Sequence, residues 1–320
     1  MKKTITIALS AVVLAGVLNS CGSKEKDTDT NADGTAKIEG TITMSGAFAL
    51  YPLANVWAEE FRKEYPDVKF NISGGGAGKG MTDMLNGAAD IAMYSKEISK
   101  VETDQGAYGF AVTKDAVIPT IAANNPVLAQ LKAEGMKREE LSAIFLKDAK
   151  QNWKGSSEKV NVYTRSDAAG AAETWAKYLG GKAQEELKGV AVFGDPGLAD
   201  AVKKDKNGIG YNNVIYAYDI NSGKKYPGLE VLPIDVNGNG KIDAEENFYE
   251  TLGDLTKAIA DGRYPSPPAR ELFLVTKGKP ASPAVKAFLN WVLTKGQDFV
   301  VSNGYILLEK DNVQKQIQKL

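Results

Sequence analysis

The chain has 320 residues, 43% of them hydrophobic, which is enough apolar mass for one large or two smaller packed cores. Its 39 basic and 40 acidic residues leave a net charge of −1, so no general attraction to nucleic acid or to an anionic membrane follows, and any preference for anions must be local. Histidine is absent, which removes Ser-His-Asp and Cys-His catalysis, histidine general bases and imidazole metal sites together.

At the N-terminus, Lys2-Lys3 precede an apolar stretch from Ile5 to Leu18 that is too short for a stop-transfer helix and has the length of a signal-peptide core. It closes on Leu18-Asn19-Ser20-Cys21, which resembles a bacterial lipobox, where the cysteine becomes the lipidated first residue. Cys21 is the single cysteine, so it has no internal disulfide partner. We therefore expect a lipoprotein signal peptide over 1–20 and a flexible tether over 21–37, where apolar side chains are nearly absent. The folded part is then extracytoplasmic and lipid-anchored to a bacterial membrane, in the periplasm or at the cell surface.

The folded part opens with a strand at Thr41–Ser45 and a helix from Pro52, where proline suits a first turn and Leu53, Val56, Trp57 and Phe61 share one face. The run Val68–Ile72 then feeds Ser73-Gly-Gly-Gly-Ala-Gly-Lys-Gly80, and a helix leads out over 79–87 through Met81, Met84 and Leu85. Free backbone N–H groups at such a turn converge, the helix dipole favours negative charge there, and missing side chains admit a ligand, so the stretch reads as an anion cradle. A ligand-free glycine turn is the alternative. It is not a Walker loop, because Ser73 holds the first glycine position and Gly80 the hydroxyl position, and it lacks the dinucleotide spacing.

A strand at Asp90–Tyr94 completes an alternation of strands and helices, which predicts a parallel, doubly wound α/β sheet. Ligands in such sheets sit beyond the carboxyl ends of the strands, where the turns at Ser45, Ser73 and Ser95 fall. Strand-like runs at 109–113 and 116–122 lead to helices over 126–134 and 138–147, with a lobe crossing near Thr113–Asp115. A second strand-turn-helix unit follows: Val160–Tyr163, then Thr164-Arg-Ser-Asp-Ala-Ala-Gly170, then a helix through Trp175 and Tyr178. After a strand at Ile209–Tyr211, the proline-rich Arg263–Arg270 returns the chain to a strand at Glu271–Thr276 and a helix over 283–302. The expected architecture is two lobes, 38–113 with 268–320 and 114–267, joined by two hinge crossings.

Five stretches in this order carry a resemblance: Ser45-Gly-Ala-Phe-Ala-Leu-Tyr-Pro-Leu53, Gly74 to Gly80, Ala89-Asp-Ile-Ala-Met-Tyr-Ser95, Arg165-Ser-Asp-Ala-Ala-Gly-Ala171 and Gly262-Arg-Tyr-Pro. The chain resembles the substrate-binding proteins of phosphate-type ABC transporters, which have a two-lobed type II periplasmic binding fold. The resemblance implies a monomeric, cofactor-free receptor, not an enzyme, that closes over phosphate or a related tetrahedral oxyanion and delivers it to an ABC permease. It places substrate contacts at Leu50, Tyr51, Gly76, Ala77, Gly78, Ser95, Arg165, Asp167, Ala169, Gly170 and Ala171. Arg165 is expected to grip the anion bidentately, with the N–H groups of Leu50–Tyr51, Ala77–Gly78 and Gly170–Ala171 around the rest.

This chain departs from the family at several contacts. Ala49 or Leu50, Ala77, Ala169 and Ala171 stand where relatives offer hydroxyl groups, and Ser95 stands where some members carry a proton-accepting aspartate. Each lost hydroxyl bond to a charged ligand costs about 1.5–3 kcal/mol if nothing replaces it. Lys79 and Lys96 are candidates to replace part of that charge, with solvated surface positions as the alternative.

Independently, Asp235-Val-Asn-Gly-Asn-Gly-Lys-Ile-Asp-Ala-Glu-Glu246 has EF-hand calcium-loop spacing, with candidate positions Asp235, Asn237, Asn239, Lys241, Asp243 and Glu246. The preceding Leu229–Ile234 is strand-like, so a structural calcium ion is expected there and not a switch. Two rival functions use the same fold. A secreted phosphatase needs a nucleophile or a metal-bound water beside the cradle, and the sequence offers neither. A calcium-binding surface or adhesion protein needs no transport partner.

Overall fold

The structure, a computed structural model, describes residues 37–147 and 151–320. The expected signal peptide, Cys21 and the tether up to residue 36 lie outside the described residues.

The first half of the fold alternates as the sequence predicts. Strand β1 (Gly40–Gly46), helix α1 (Tyr51–Glu64), β2 (Val68–Gly74), α2 (Ala77–Leu85) and β3 (Ile91–Tyr94) follow one another, and β1 pairs in parallel with both β2 and β3. Pro52 sits in the first turn of α1, where its missing N–H costs nothing. The α1 face carrying Leu53, Trp57 and Phe61 is fully buried, and the Trp57 indole N–H donates to the Gly296 carbonyl at 2.8 Å.

A short helix α3 (Lys100–Asp104) leads to β4 (Ala107–Ala122), a single 16-residue strand where the sequence suggested two. The polar Lys114-Asp115 step does not break it. Lys114 exchanges main-chain hydrogen bonds with Ile306, and buried Asp115 pairs with Arg270 at 3.0 Å. Helices α4 (Leu128–Glu134) and α5 (Arg138–Leu146) follow, then β5 (Asn161–Arg165), α6 (Gly170–Leu179), β6 (Val190–Val192), α7 (Gly194–Lys204), β7 (Gly208–Asn213) and β8 (Leu229–Val231). The chain ends with α8 (Leu252–Ala260), β9 (Ala269–Lys277), α9 (Pro283–Leu293) and α10 (Lys310–Gln318). The helix expected over 283–302 stops at Leu293; Gly296, packed 3.0 Å from the Trp291 ring where its Cβ would stand, lies in a tighter turn that follows.

The strand order is β2-β1-β3-β9-β4-β7-β5-β6, with β8 also on β4. β9 runs antiparallel to β3 and β4, and β4 antiparallel to β7, so the sheet is mixed where an all-parallel one was expected. The helix-strand alternation that predicts parallel pairing cannot reveal two strands paired across more than 150 residues of sequence. Two apolar cores flank this central pair. One gathers Trp57, Phe61, Phe110, Phe288 and Trp291; the other gathers Phe145, Trp175, Tyr211, Tyr218 and Tyr264. β4 gives Phe110 and Val112 to the first core and Ala116 to Ile118 to the second, while β9 gives Ala269 to the second and Leu272 and Leu274 to the first.

Candidate anion site

The carboxyl ends of β1, β3, β5 and β7 meet the amino ends of α2, α6 and α7 around one small cavity. Ala47, Phe48 and Ala49 wall it after β1, Gly76 and Ala77 at the start of α2, and Ser95 after β3. Facing them are Arg165, the small residues Ala169, Gly170 and Ala171 at the start of α6, Asp195 in the first turn of α7, and Asn213 at the end of β7. The cavity measures about 10 Å³, about enough for one water.

Two glycines let the walls approach. Gly76 has φ of 89°, which an L-residue adopts at a cost, and a Cβ there would lie 2.7 Å from an Asp167 carboxylate oxygen. A Cβ on Gly170 would lie 2.3 Å from the Ser95 hydroxyl oxygen, so buried Ser95 faces bare backbone.

Eight of the eleven predicted contacts therefore border this cavity or pack directly behind it: Gly76, Ala77, Ser95, Arg165, Ala169, Gly170 and Ala171 line it, and Asp167 backs it. The other three do not. The N–H groups of Leu50 and Tyr51 turn back onto the Ala47 carbonyl at 3.1 and 3.2 Å, closing the first turn of α1. The Gly78 N–H donates to the Ala168 carbonyl at 3.0 Å, which ties α2 to the α6 turn. Lys79 pairs with Asp83 on its own helix, and Lys96 pairs with Glu173 at 2.5 Å, so neither lysine lines the cavity.

Arg165 differs most from its expected role. Its Nε and Nη2 donate to the two oxygens of Asp167 at 2.8 and 2.6 Å, so the bidentate fork faces a resident carboxylate. Nη1 donates to Asp195 Oδ2 at 2.5 Å, and the Phe48 ring covers the guanidinium with its centroid 5.5 Å from Cζ. Arg165 and both aspartates are almost wholly buried, a triad that costs desolvation and recovers it by charge pairing. Burial alone pulls a guanidinium down; Asp195, and then Asp167, outweigh it, so Arg165 is held above the ordinary arginine range. Both carboxylates are further fixed by backbone donors: Asp167 Oδ1 accepts from the Gly194 N–H at 3.1 Å and Asp195 Oδ1 from the Asn213 N–H at 3.0 Å.

Phe48, Asn213 and Asp195 escaped the sequence reading. Asp195 had a signal: Gly194-Asp-Pro-Gly197 after a β-branched run is a third strand-to-helix turn, with proline suited to a first helical turn.

The 235–246 loop is closed by its own hydrogen bonds. Asp235 accepts the N–H groups of Gly238 and Gly240 at 2.7 and 2.8 Å, and Glu246 accepts those of Val236 and Asn237 at 2.9 and 3.0 Å. Asp243 accepts from the Asn237 and Asn239 amides at 3.0 and 2.6 Å and from Lys241 at 2.8 Å. Among the described residues, no three acidic, histidine or cysteine side chains are grouped so as to hold one metal ion.

Fold and site together define a class. The chain belongs to the PBP superfamily, whose domain matches residues 31–295. Among curated relatives, it is 25% identical over 303 residues to the phosphate-binding protein PstS of Bacillus subtilis, covering 92% of this chain and 90% of that one. It is also 25% identical to PstS of Methanocaldococcus jannaschii, across 97% of this chain. A phosphate ABC transporter substrate-binding structure from Clostridium perfringens, solved with bound phosphate, superposes with a TM-score of 0.68 over 84% of this chain and all of that one, at 21% identity. The resemblance drawn from the five sequence stretches is to this same group. Among the described residues, no helix is long and apolar enough to cross a membrane.

Proposed function

We propose that the chain is the extracytoplasmic receptor of an ABC importer that captures phosphate, or a related tetrahedral oxyanion, between its two cores. The observation that carries this reading is the meeting of Arg165 with the small-residue amino ends of α2 and α6 in one cavity, within a fold whose curated relatives are named phosphate-binding proteins. At a helix start the first N–H groups have no intrahelical partner and attract negative charge. The present cavity has room for about one water, so an anion enters as its walls part and is held as they close. A hinge at the β4–β9 pair, dividing 38–113 with 268–320 from 114–267, is the motion this requires. The receptor acts as a monomer and docks on a permease. Thermal melting of the ligand-free protein with phosphate, sulfate, arsenate, molybdate and tungstate tests the reading: at least one should raise the melting temperature, and no shift with any of them would refute it.

Two finer readings accompany it. Anchoring through lipidated Cys21 rests on the signal order at the N-terminus, and mass spectrometry should find acyl chains on an N-terminal Cys21; an intact Met1 in membrane-extracted protein would refute it. Calcium at 235–246 rests on the spacing of the oxygen-bearing residues in the loop. Millimolar calcium should then raise the melting temperature of the wild type and not of Glu246→Ala, whereas identical melting with calcium and with chelator would leave the loop a turn.

A further inference from the structure

We propose that Asp195 sets which charge of oxyanion the cavity accepts, so that a singly charged tetrahedral anion binds in preference to a doubly charged one; this rests on the oxyanion reading and goes beyond it. Of the described residues lining the cavity, only Arg165 and Asp195 carry charge. Asp167 lies directly behind the arginine and takes its Nε and Nη2, so one guanidinium faces two carboxylates and the side chains of the centre sum to one unit negative, set against the partial positive charge of the helix starts. A dianion entering this centre meets Asp195 at close range in a dry site, where repulsion is screened far less than in water.

Among the described residues, no other cation lines the cavity. Lys79 and Lys96 are paired away from the cavity, and the Arg270 guanidinium, beyond Asn213, binds Asp115, Thr174 and the Asn213 side chain. Asp195 cannot easily withdraw. Its two oxygens are held by Arg165 and by the Asn213 N–H, its own carbonyl accepts from the Asn212 amide at 3.0 Å, and its side chain is 1% exposed. The Phe48 ring blocks one face of Arg165, so an incoming anion shares the Nη1 edge with Asp195.

Sulfate and perrhenate are both tetrahedral, differ by one charge, and carry no proton at pH 8, so their affinities isolate charge from protonation. Calorimetry of the wild type and of Asp195→Asn with each anion at pH 8 and fixed ionic strength reads the effect. Asparagine removes the charge and keeps one oxygen, for either Arg165 Nη1 or the Asn213 N–H, so one of those two bonds is lost equally for both anions and cancels in their affinity ratio. The ratio of sulfate to perrhenate affinity should rise about tenfold or more in Asp195→Asn. An unchanged ratio, with both proteins melting cooperatively, would make Asp195 merely structural and overturn the proposal. Should Asp195→Asn fail to fold, the wild type alone decides: perrhenate tighter than sulfate supports the proposal, and sulfate tighter overturns it. Failure of both proteins to bind either anion also overturns it; the receptor reading falls with it only if phosphate leaves the melting temperature unchanged as well.

Discussion

Replacing Arg165 by alanine removes the only positive charge among the described residues that line the cavity and strands two buried carboxylates. Breaking a buried ion pair from one side costs about 3–5 kcal/mol, so Arg165→Ala should lower the urea-unfolding stability by that order and abolish oxyanion binding together. Unchanged stability would show that Asp167 and Asp195 do not depend on the arginine. Arg165 was legible in the sequence because a charged residue between a β-branched strand and a run of small residues is anomalous. What it touches was not legible. Its Asp167 partner lies two residues away, but Asp195 arrives from 30 residues further on, placed there by a helix start that sequence alone reads as one of several.

At the scale of elements, the site depends on how closely α6 can approach the turn after β3. A methyl group on Gly170 would overlap the Ser95 hydroxyl and carbonyl oxygens at 2.3 and 2.5 Å, the latter being backbone directly after β3. Overpacking of this kind costs about 1–3 kcal/mol. In Gly170→Ala it should fall on the approach of the two cores, lowering oxyanion affinity about tenfold or more at 1.4 kcal/mol per decade and raising the radius of gyration measured by small-angle scattering in the presence of anion. Affinity equal to wild type would mean that the α6 start does not close on Ser95. The alternation of β1 to β3 with α1 and α2 was legible because apolar spacing and glycine turns are local signals. The unbroken β4 was not, because its polar centre is stabilised by Arg270 and Ile306, both more than 150 residues away in sequence.

For the whole molecule, β4 and β9 run side by side from one core to the other, and a network follows them from the cavity. Arg165 holds Asp195, Asp195 holds the Asn213 N–H, the Asn213 side chain accepts from Arg270, and Arg270 binds Asp115 between the cores. Burial pushes the Asp115 carboxyl above its usual range despite Arg270, which marks how dry this crossing is. The two-lobed α/β class was legible from two strand-turn-helix units separated by a crossing; the mixed sheet order was not, because antiparallel pairing of β3, β9, β4 and β7 leaves no local pattern. The central claim is that the two cores hold a tetrahedral oxyanion between them at Arg165. Titration calorimetry of the anion-stripped wild type with inorganic phosphate at pH 7 tests it most directly: the account predicts a saturable isotherm with one site per chain that disappears in Arg165→Ala, and an isotherm unaltered by that substitution, or no heat from the wild type, would contradict it.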